Sequence, residues 1–208
     1  MIPRIIHQVW VGGLDIPKSE IKWMETWKQK HPSWKFMMWN DDNISELEMP
    51  TNCIEAYNNL EGLYALQADV VRYNAVFRHG GFYIDTDVEC FKSIEDLRQQ
   101  GKDILLLRPH SGNWLTNAFF GASRNHPILL NAINGLKSPP VNVLRQKNRN
   151  IWGPIYLTRH YREYVSLGAG ECIESGNTKS EKVLNYSFWS GRNPDAYCKH
   201  YARASWRV

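Results

Sequence analysis

Apolar and polar positions along this chain follow two periods, and the two take turns. Ile5-Ile6-His7-Gln8-Val9-Trp10 reads as a strand closed by Gly12-Gly13. Pro17 then opens a helix with Ile21, Met24 and Trp27 on one face, and His31-Pro32 ends it. Trp34 to Trp39 is a second strand, followed by the polar turn Asn40-Asp41-Asp42-Asn43. The clearest periodicity runs from Leu63 to His79, where Leu66, Val70, Tyr73 and Phe77 recur at helical spacing. Gly80-Gly81 ends that helix, as a left-handed C-terminal cap favours glycine. Phe82-Tyr83-Ile84 is a short apolar strand leading into Asp85-Thr86-Asp87. Asp103 to Arg108 and Ala118 to Gly121 read as buried strands. Helices are predicted from His126-Pro127 through Leu136 and from Gly153-Pro154 to about Val165.

Strands alternating with helices predict an α/β fold with a mostly parallel central sheet flanked by helices. The 208 residues fit one domain, spanning 1–208. Ligands of such sheets bind off the carboxyl ends of strands, and Asp85 and Asp87 stand at such an end.

Composition narrows the function. The net charge is +4, but Lys and Arg are scattered rather than gathered in a stripe, which argues against a nucleic-acid partner. Cys53, Cys90, Cys172 and Cys198 show no metal-ligand spacing and read as free thiols of a reducing compartment. The N-terminus lacks the apolar core of a signal peptide, and no apolar run reaches the length of a membrane span. The expectation is a cytoplasmic protein, with peripheral membrane association left open.

In an extended chain the carboxylates of Asp85 and Asp87 point to one side, and their repulsion invites a cation. Mn²⁺ or Mg²⁺ suits oxygen ligands. The triplet alone is weak: nine Asp in this chain give such a pair by chance roughly 0.4 times. A calcium loop is excluded, because its sixth position needs glycine and here holds Cys90. Asp69 and Arg72 lie three apart on the preceding helix. They read either as a surface ion pair or as a polar pair aimed at a ligand.

Ala68-Asp69-Val70-Val71-Arg72-Tyr73 followed by His79-Gly80-Gly81-Phe82-Tyr83-Ile84-Asp85-Thr86-Asp87 resembles the signature of the DXD-containing sugar transferases. That family includes the yeast initiating α-1,6-mannosyltransferase and bacterial capsular polysaccharide transferases. The string is also similar to the glucosyltransferase domain of the large clostridial toxins. Ile6 to Gly13 resembles the family's opening strand, and weaker matches fall at Asn117 with His126-Pro127, at Gly153 to Thr158, and at His200 with Ser205-Trp206.

The resemblance implies a GT-A fold, a nucleotide-sugar donor, a divalent metal (Mn²⁺ or Mg²⁺) and retention of anomeric configuration. It implies that Val9 and Trp10 bind the donor, with Trp10 stacking on its base. Asp69 and Arg72 would hold the donor sugar and phosphates, Tyr83 and Asp85 would face the ribose and sugar, and Asn117 would contact the sugar. Asp87 would ligate the metal directly and Asp85 partly through water, His200 or Ser205 would complete the shell, and Trp206 would donate to a phosphate. Asp85, Asp87 and Arg72 form the catalytic set. The Trp10 segment favours UDP-glucose as donor, and a glycan or polysaccharide hydroxyl as acceptor. Two alternatives remain. A nucleotidyltransferase or nucleotide-sugar hydrolase would also pair carboxylates around a metal. The nine tryptophans permit a carbohydrate-binding module.

Overall fold

The computed structural model describes residues 1–108, 114–138, 151–166, 181–184, 188 and 193–203. Its strands are β1 (Ile5–Val9), β2 (Lys35–Trp39), β3 (Gly81–Ile84), β4 (Val88–Cys90), β5 (Ile104–Leu107), β6 (Thr116–Ala122), β7 (Glu181–Leu184) and β8 (Cys198–His200). Its α-helices are α1 (Lys18–Lys30), α2 (Thr51–Asn58), α3 (Tyr64–His79), α4 (Glu95–Arg98), α5 (Pro127–Gly135) and α6 (Pro154–Tyr164).

Six strands form one sheet in the order β2-β1-β3-β6-β5-β7, and β4 pairs with β8 in a separate ribbon. Neighbours β1/β2, β1/β3 and β5/β7 are parallel, while β6 runs antiparallel to both β3 and β5. The mostly parallel α/β sheet of the sequence reading is therefore present. The antiparallel β6 brings its own beginning, Thr116-Asn117, beside the end of β3.

Both faces of the sheet are buried, which is why Ile104–Leu107 is apolar without alternation. Ile104 and Leu106 join a core beneath α3, α5 and α6 that includes Leu66, Val70, Tyr73 and Phe120. Leu105 and Leu107 join the opposite core with Trp27, Phe82, Ile84 and Phe119.

Two local expectations change. The buried face of α1 is Glu20, Trp23 and Trp27, while Ile21 is half exposed, because Trp27 docks its indole N–H on the Val88 carbonyl (2.8 Å) and so fixes the helix rotation. Gly80 has φ +65° but ψ −175°, so it is an extended residue with positive φ, which glycine alone adopts comfortably, and not a left-handed cap. At Gly81 a Cβ would come within 2.6 Å of the Ile5 carbonyl oxygen, so glycine is needed for β3 to lie against β1. Helix α2 and strands β4, β7 and β8 have no counterpart in the sequence reading. Among the described residues, no helix is long and apolar enough to cross a membrane.

His7, fully buried in β1, ties these elements together. Trp39 Nε1 donates to its Nδ1 (3.1 Å), so the remaining proton sits on Nε2 and is donated to the Gly80 carbonyl (2.8 Å). Burial above all, and then the charges of His79 and Lys35, push its pKa down to about 4. Burial does the same to His126, also about 4, whose Nδ1 accepts from Ile128 N–H at the start of α5. The unfolded chain takes up protons near pH 6.5 that the folded chain refuses until about pH 4. Stability is therefore full above pH 6.5 and falls through that window by about 1.4 kcal/mol per pH unit for each histidine. The expected result is a thermal midpoint that drops steadily from pH 7 to pH 4.5. A flat midpoint from pH 7 to pH 5 would contradict these neutral, buried imidazoles.

Candidate functional site: a carboxylate–histidine cluster in one cavity

Segments of β1, α3, β3, β6, β8 and the start of α6 meet where β1 and β3 end and β6 begins. Together they line one cavity of about 360 Å³ whose walls include Val9, Trp10, Asp69, Arg72, Tyr83, Asp85, Asp87, Asn117 and His200. Every site residue predicted within the described region thus reaches the same space. Ser205 and Trp206 lie outside the described residues.

Asp85 and Asp87 converge for a different reason from the one the sequence suggested. Residues 85–87 form a turn between β3 and β4, not an extended strand: the Asp85 carbonyl accepts from Val88 N–H (3.2 Å), and Asp85 N–H is pinned to the Ala118 carbonyl of β6 (2.9 Å). Across this turn a carboxylate oxygen of Asp85 and one of Asp87 come within 4.8 Å of each other.

Asp85 is held by two partners through one oxygen. Its Oδ1 accepts from Tyr83 Oη (2.6 Å) and lies 3.1 Å from Arg72 Nη1. Arg72 is the hub of the site. Its Nε lies 3.2 Å from Asp69 Oδ1, its Nη1 donates to the Asn117 carbonyl (2.8 Å), and its guanidinium sits 4.4 Å over the Tyr83 ring. Asn117 Nδ2 donates to the same Asp69 oxygen (2.8 Å). Asp69 and Arg72 are therefore not a surface pair; their side chains are 6% and 8% exposed. In this state Arg72, Asn117 and Tyr83 spend these contacts on orienting the two acids.

The electrostatics follow from burial. Burial raises the Asp69 pKa to about 7; Asp85 adds to the rise, and Arg72 and Asn117 offset part of it. Burial opposes the charge on Arg72, but Tyr83, Asp85 and Asp69 outweigh it and hold the guanidinium firmly protonated. Asp87 is held below the usual carboxylate range: burial works the other way, but the bond to His200 and Arg203 N–H prevail. His200 is raised in turn, because Asp87 outweighs its burial.

His200 arrives by way of the ribbon. Val88 faces His200 in the β4–β8 register, and His200 Nε2 lies 3.1 Å from Asp87 Oδ1. Beyond β8 the chain stays fastened. Tyr201 N–H donates to the Asp87 carbonyl (3.0 Å), Tyr201 Oη to Glu89 Oε2 (2.6 Å), and Arg203 N–H to Asp87 Oδ2 (2.9 Å). The Tyr201 ring stacks on Trp23 of α1 at 4.2 Å between centroids. One ligand oxygen or nitrogen from each of Asp85, Asp87 and His200 lies within 4.8 Å of the others. Two carboxylates and an imidazole suit a borderline divalent ion such as Mn²⁺, and the set also admits Mg²⁺.

At the other wall, Trp10 N–H takes the Trp39 carbonyl (2.9 Å) and its indole Nε1 donates to the Leu14 carbonyl (2.6 Å). The indole N–H is thus occupied within the loop, while Trp10 also lines the cavity. Asp41 holds this loop: its Oδ2 accepts from Gly12 and Gly13 N–H (2.8 and 2.9 Å), and its Oδ1 from Tyr57 Oη (3.3 Å). Sequence reasoning saw Asp41 only as part of a polar turn, Glu89 only as an extension of the carboxylate pattern and Tyr201 only as one of the tail residues near the metal, and it did not single out Trp23. None of these carries a local signal, since each acts through a partner distant in the chain.

Residues 17–103 match the family described as "Glycosyltransferase sugar-binding region containing DXD motif". That stretch of the chain is similar to the DXD glycosyltransferases. Among curated relatives, the chain is 26% identical over 224 residues to inositol phosphoceramide mannosyltransferase 1 of Schizosaccharomyces pombe, covering 99% of this chain and 62% of that protein. It is 29% identical over 141 residues to inositol phosphoceramide mannosyltransferase 3 of the same yeast, covering 65% and 37%. The chain spans about half the length of the curated relatives it matches. Among solved structures, the UDP-bound glycosyltransferase domain of the YGT toxin superposes with a TM-score of 0.60 at 11% identity, covering 96% of this chain and 83% of that one. This likeness shows the GT-A glycosyltransferase fold.

Proposed function

We propose that this chain transfers a hexose from a nucleotide sugar to a hydroxyl of a glycan acceptor, with a divalent metal and with retention of anomeric configuration. The observation that carries the reading is the meeting of Trp10, the Arg72 hub and the Asp85–Asp87–His200 cluster in one cavity of about 360 Å³. The chemistry of that cluster fits Mn²⁺ or Mg²⁺, with Asp85, Asp87 and His200 as holders and Ser205 as the remaining candidate. When bound, such an ion supplies positive charge to the departing diphosphate. The rest falls to the chain's own groups. Trp10 receives the base on its ring face. Arg72 adds fixed positive charge beside the phosphates while keeping Asp85 in place. Asp69 and Asn117 shape the floor under the sugar.

Retention by front-face attack is favoured over double displacement. The second route needs a carboxylate nucleophile, and Asp69 is already engaged by Asn117 and Arg72 through Oδ1. The leaving phosphate would take the acceptor's proton. The names of the curated relatives favour a mannosyl donor. UDP-glucose, favoured by the Trp10 segment, is the competing donor. Cytoplasmic residence and a single domain over 1–208 belong to the same reading.

The test is to incubate the protein with GDP-mannose or UDP-glucose, with Mn²⁺ or a chelator, and to follow release of the nucleoside diphosphate. Metal-dependent release with one donor supports the proposal, and NMR of the glycosylated product reads the configuration. No release with any nucleotide sugar would favour a carbohydrate-binding module, and inversion would refute the front-face route. Trp10→Ala is expected to weaken donor binding roughly ten-fold or more, as an aromatic–base stack is worth about 1–3 kcal/mol. Unchanged donor affinity by calorimetry would make Trp10 a wall of the cavity and nothing more.

A further inference from the structure

The ribbon that delivers His200 is short. Strands β4 and β8 have three residues each and lie outside the main sheet. Its register places Cys90 directly opposite Cys198. The flanking bonds identify the kind of pair. Tyr201 N–H donates to the Asp87 carbonyl at one end, and Phe91 N–H to the Tyr197 carbonyl (2.8 Å) at the other. Positions 87/201 and 91/197 are hydrogen-bonded pairs. By alternation 88/200 and 90/198 are non-hydrogen-bonded pairs. Two further bonds agree. Cys90 N–H points away from β8 to Thr26 Oγ1 (2.8 Å), and the Val88 carbonyl points away to Trp27 Nε1 (2.8 Å).

In a non-hydrogen-bonded antiparallel pair the Cα atoms stand about 4.5 Å apart and the side chains lie on one face at their closest approach. That spacing is within the range a disulfide spans. Both cysteines are free and buried in the same core, beside Trp27 and Phe119, whereas Cys53 belongs to the core on the opposite face of the sheet.

The geometry points to Cys90 and Cys198 as a redox-sensitive disulfide site that ties the His200 strand to the strand following Asp87. The oxidant is a small disulfide such as oxidised glutathione. The thiolate of one cysteine attacks it, forms a mixed disulfide and expels one glutathione thiolate. The thiolate of the second cysteine then attacks the protein sulfur of that mixed disulfide, closes the Cys90–Cys198 bond and expels the second glutathione. Two thiols lose two electrons and two protons, and one glutathione disulfide gains them as two thiols. Because both side chains are buried, the exchange takes place while the ribbon is open, during folding or local opening. In a reducing compartment the pair stays as thiols and the strap rests on its hydrogen bonds and on the Trp23–Tyr201 stack. Under oxidising conditions it becomes covalent.

The experiment is to unfold the full chain and refold it either in glutathione redox buffer or in dithiothreitol. Free thiols are then alkylated and peptides mapped by mass spectrometry without reduction. The expected result is a peptide pair joined through Cys90 and Cys198 in the oxidised sample alone. Its thermal midpoint should stand about 5–10 °C above that of the reduced protein. Amide exchange over residues 198–203 should slow roughly ten-fold. Cys90→Ala and Cys198→Ala should each abolish the redox-dependent shift. The proposal is overturned if the oxidised protein links Cys53 or Cys172 instead, if Cys90 and Cys198 are both recovered alkylated, or if the linked protein melts lower than the reduced one. The wild-type peptide map decides even if the variants fail to fold.

Discussion

Asp87→Ala should lower sugar transfer by about a thousand-fold or more while leaving the fold in place. Asp87 is the member of the cluster with the most support from the backbone around it. Its oxygens face His200 Nε2 and Arg203 N–H, and its carbonyl receives Tyr201 N–H. Removing the carboxylate takes away the proposed metal ligand and the partner of His200 together. The β4–β8 pairing and the Trp23–Tyr201 stack remain to hold the strap, so the far-ultraviolet circular dichroism should be unchanged. Three measurements belong together: the rate of product formation, Mn²⁺ binding by calorimetry, and the thermal midpoint. Loss of both rate and Mn²⁺ binding with an intact spectrum is the expected pattern. Near-normal turnover in this variant would remove Asp87 from the metal site and with it the reading of the cluster.

The second large effect is on stability. Arg72→Met should cost about 3–5 kcal/mol, because it strands a buried carboxylate without its cation. For a chain of this length that is a fall of about 10 °C or more in thermal midpoint. Asp69 is only 4% exposed, and its pKa already stands at about 7 with Arg72 present. Without the guanidinium it takes a proton at neutral pH, which limits the loss. The double replacement Arg72→Met with Asp69→Asn should therefore recover part of the stability lost by the single change. Activity should be absent in both, since Asp85 loses its hold as well. Arg72→Lys should not rescue, because one ammonium cannot reach Asp69, Asp85 and the Asn117 carbonyl as the planar fork does. A midpoint within a degree or two of wild type for Arg72→Met would mean that the hub is ornamental.

Several elements could be read from the chain because their cause is local. Leu66, Val70 and Tyr73 repeat at helical spacing and do form the buried stripe of α3. The unbroken apolar run Ile104–Leu107 is buried on both faces. Gly80-Gly81 marks the end of α3, although the conformation adopted there is not the cap that a helix end suggests. The face of α1 was misjudged for a physical reason. Two registers of apolar residues compete on that helix, and the choice between them falls to Trp27 docking on Val88 61 positions away. The strands β4 and β8 were invisible because three residues cannot show a period.

The sequence by itself determined the alternation of strands and helices, the order of the family's motifs, and the chemical identity of Asp69, Arg72, Asp85, Asp87 and His200. These follow from periodicity and residue type, which are properties of neighbours along the chain. Only the tertiary structure decided how those residues work together. It turned Asp69 and Arg72 inward as a hub and bent Asp85-Thr86-Asp87 into a turn. It also carried His200 back across 113 residues to Asp87 on a ribbon braced by Trp23, Glu89 and Tyr201. Pairings at such distances depend on which surfaces the packed sheet brings face to face, and no window along the chain contains both partners.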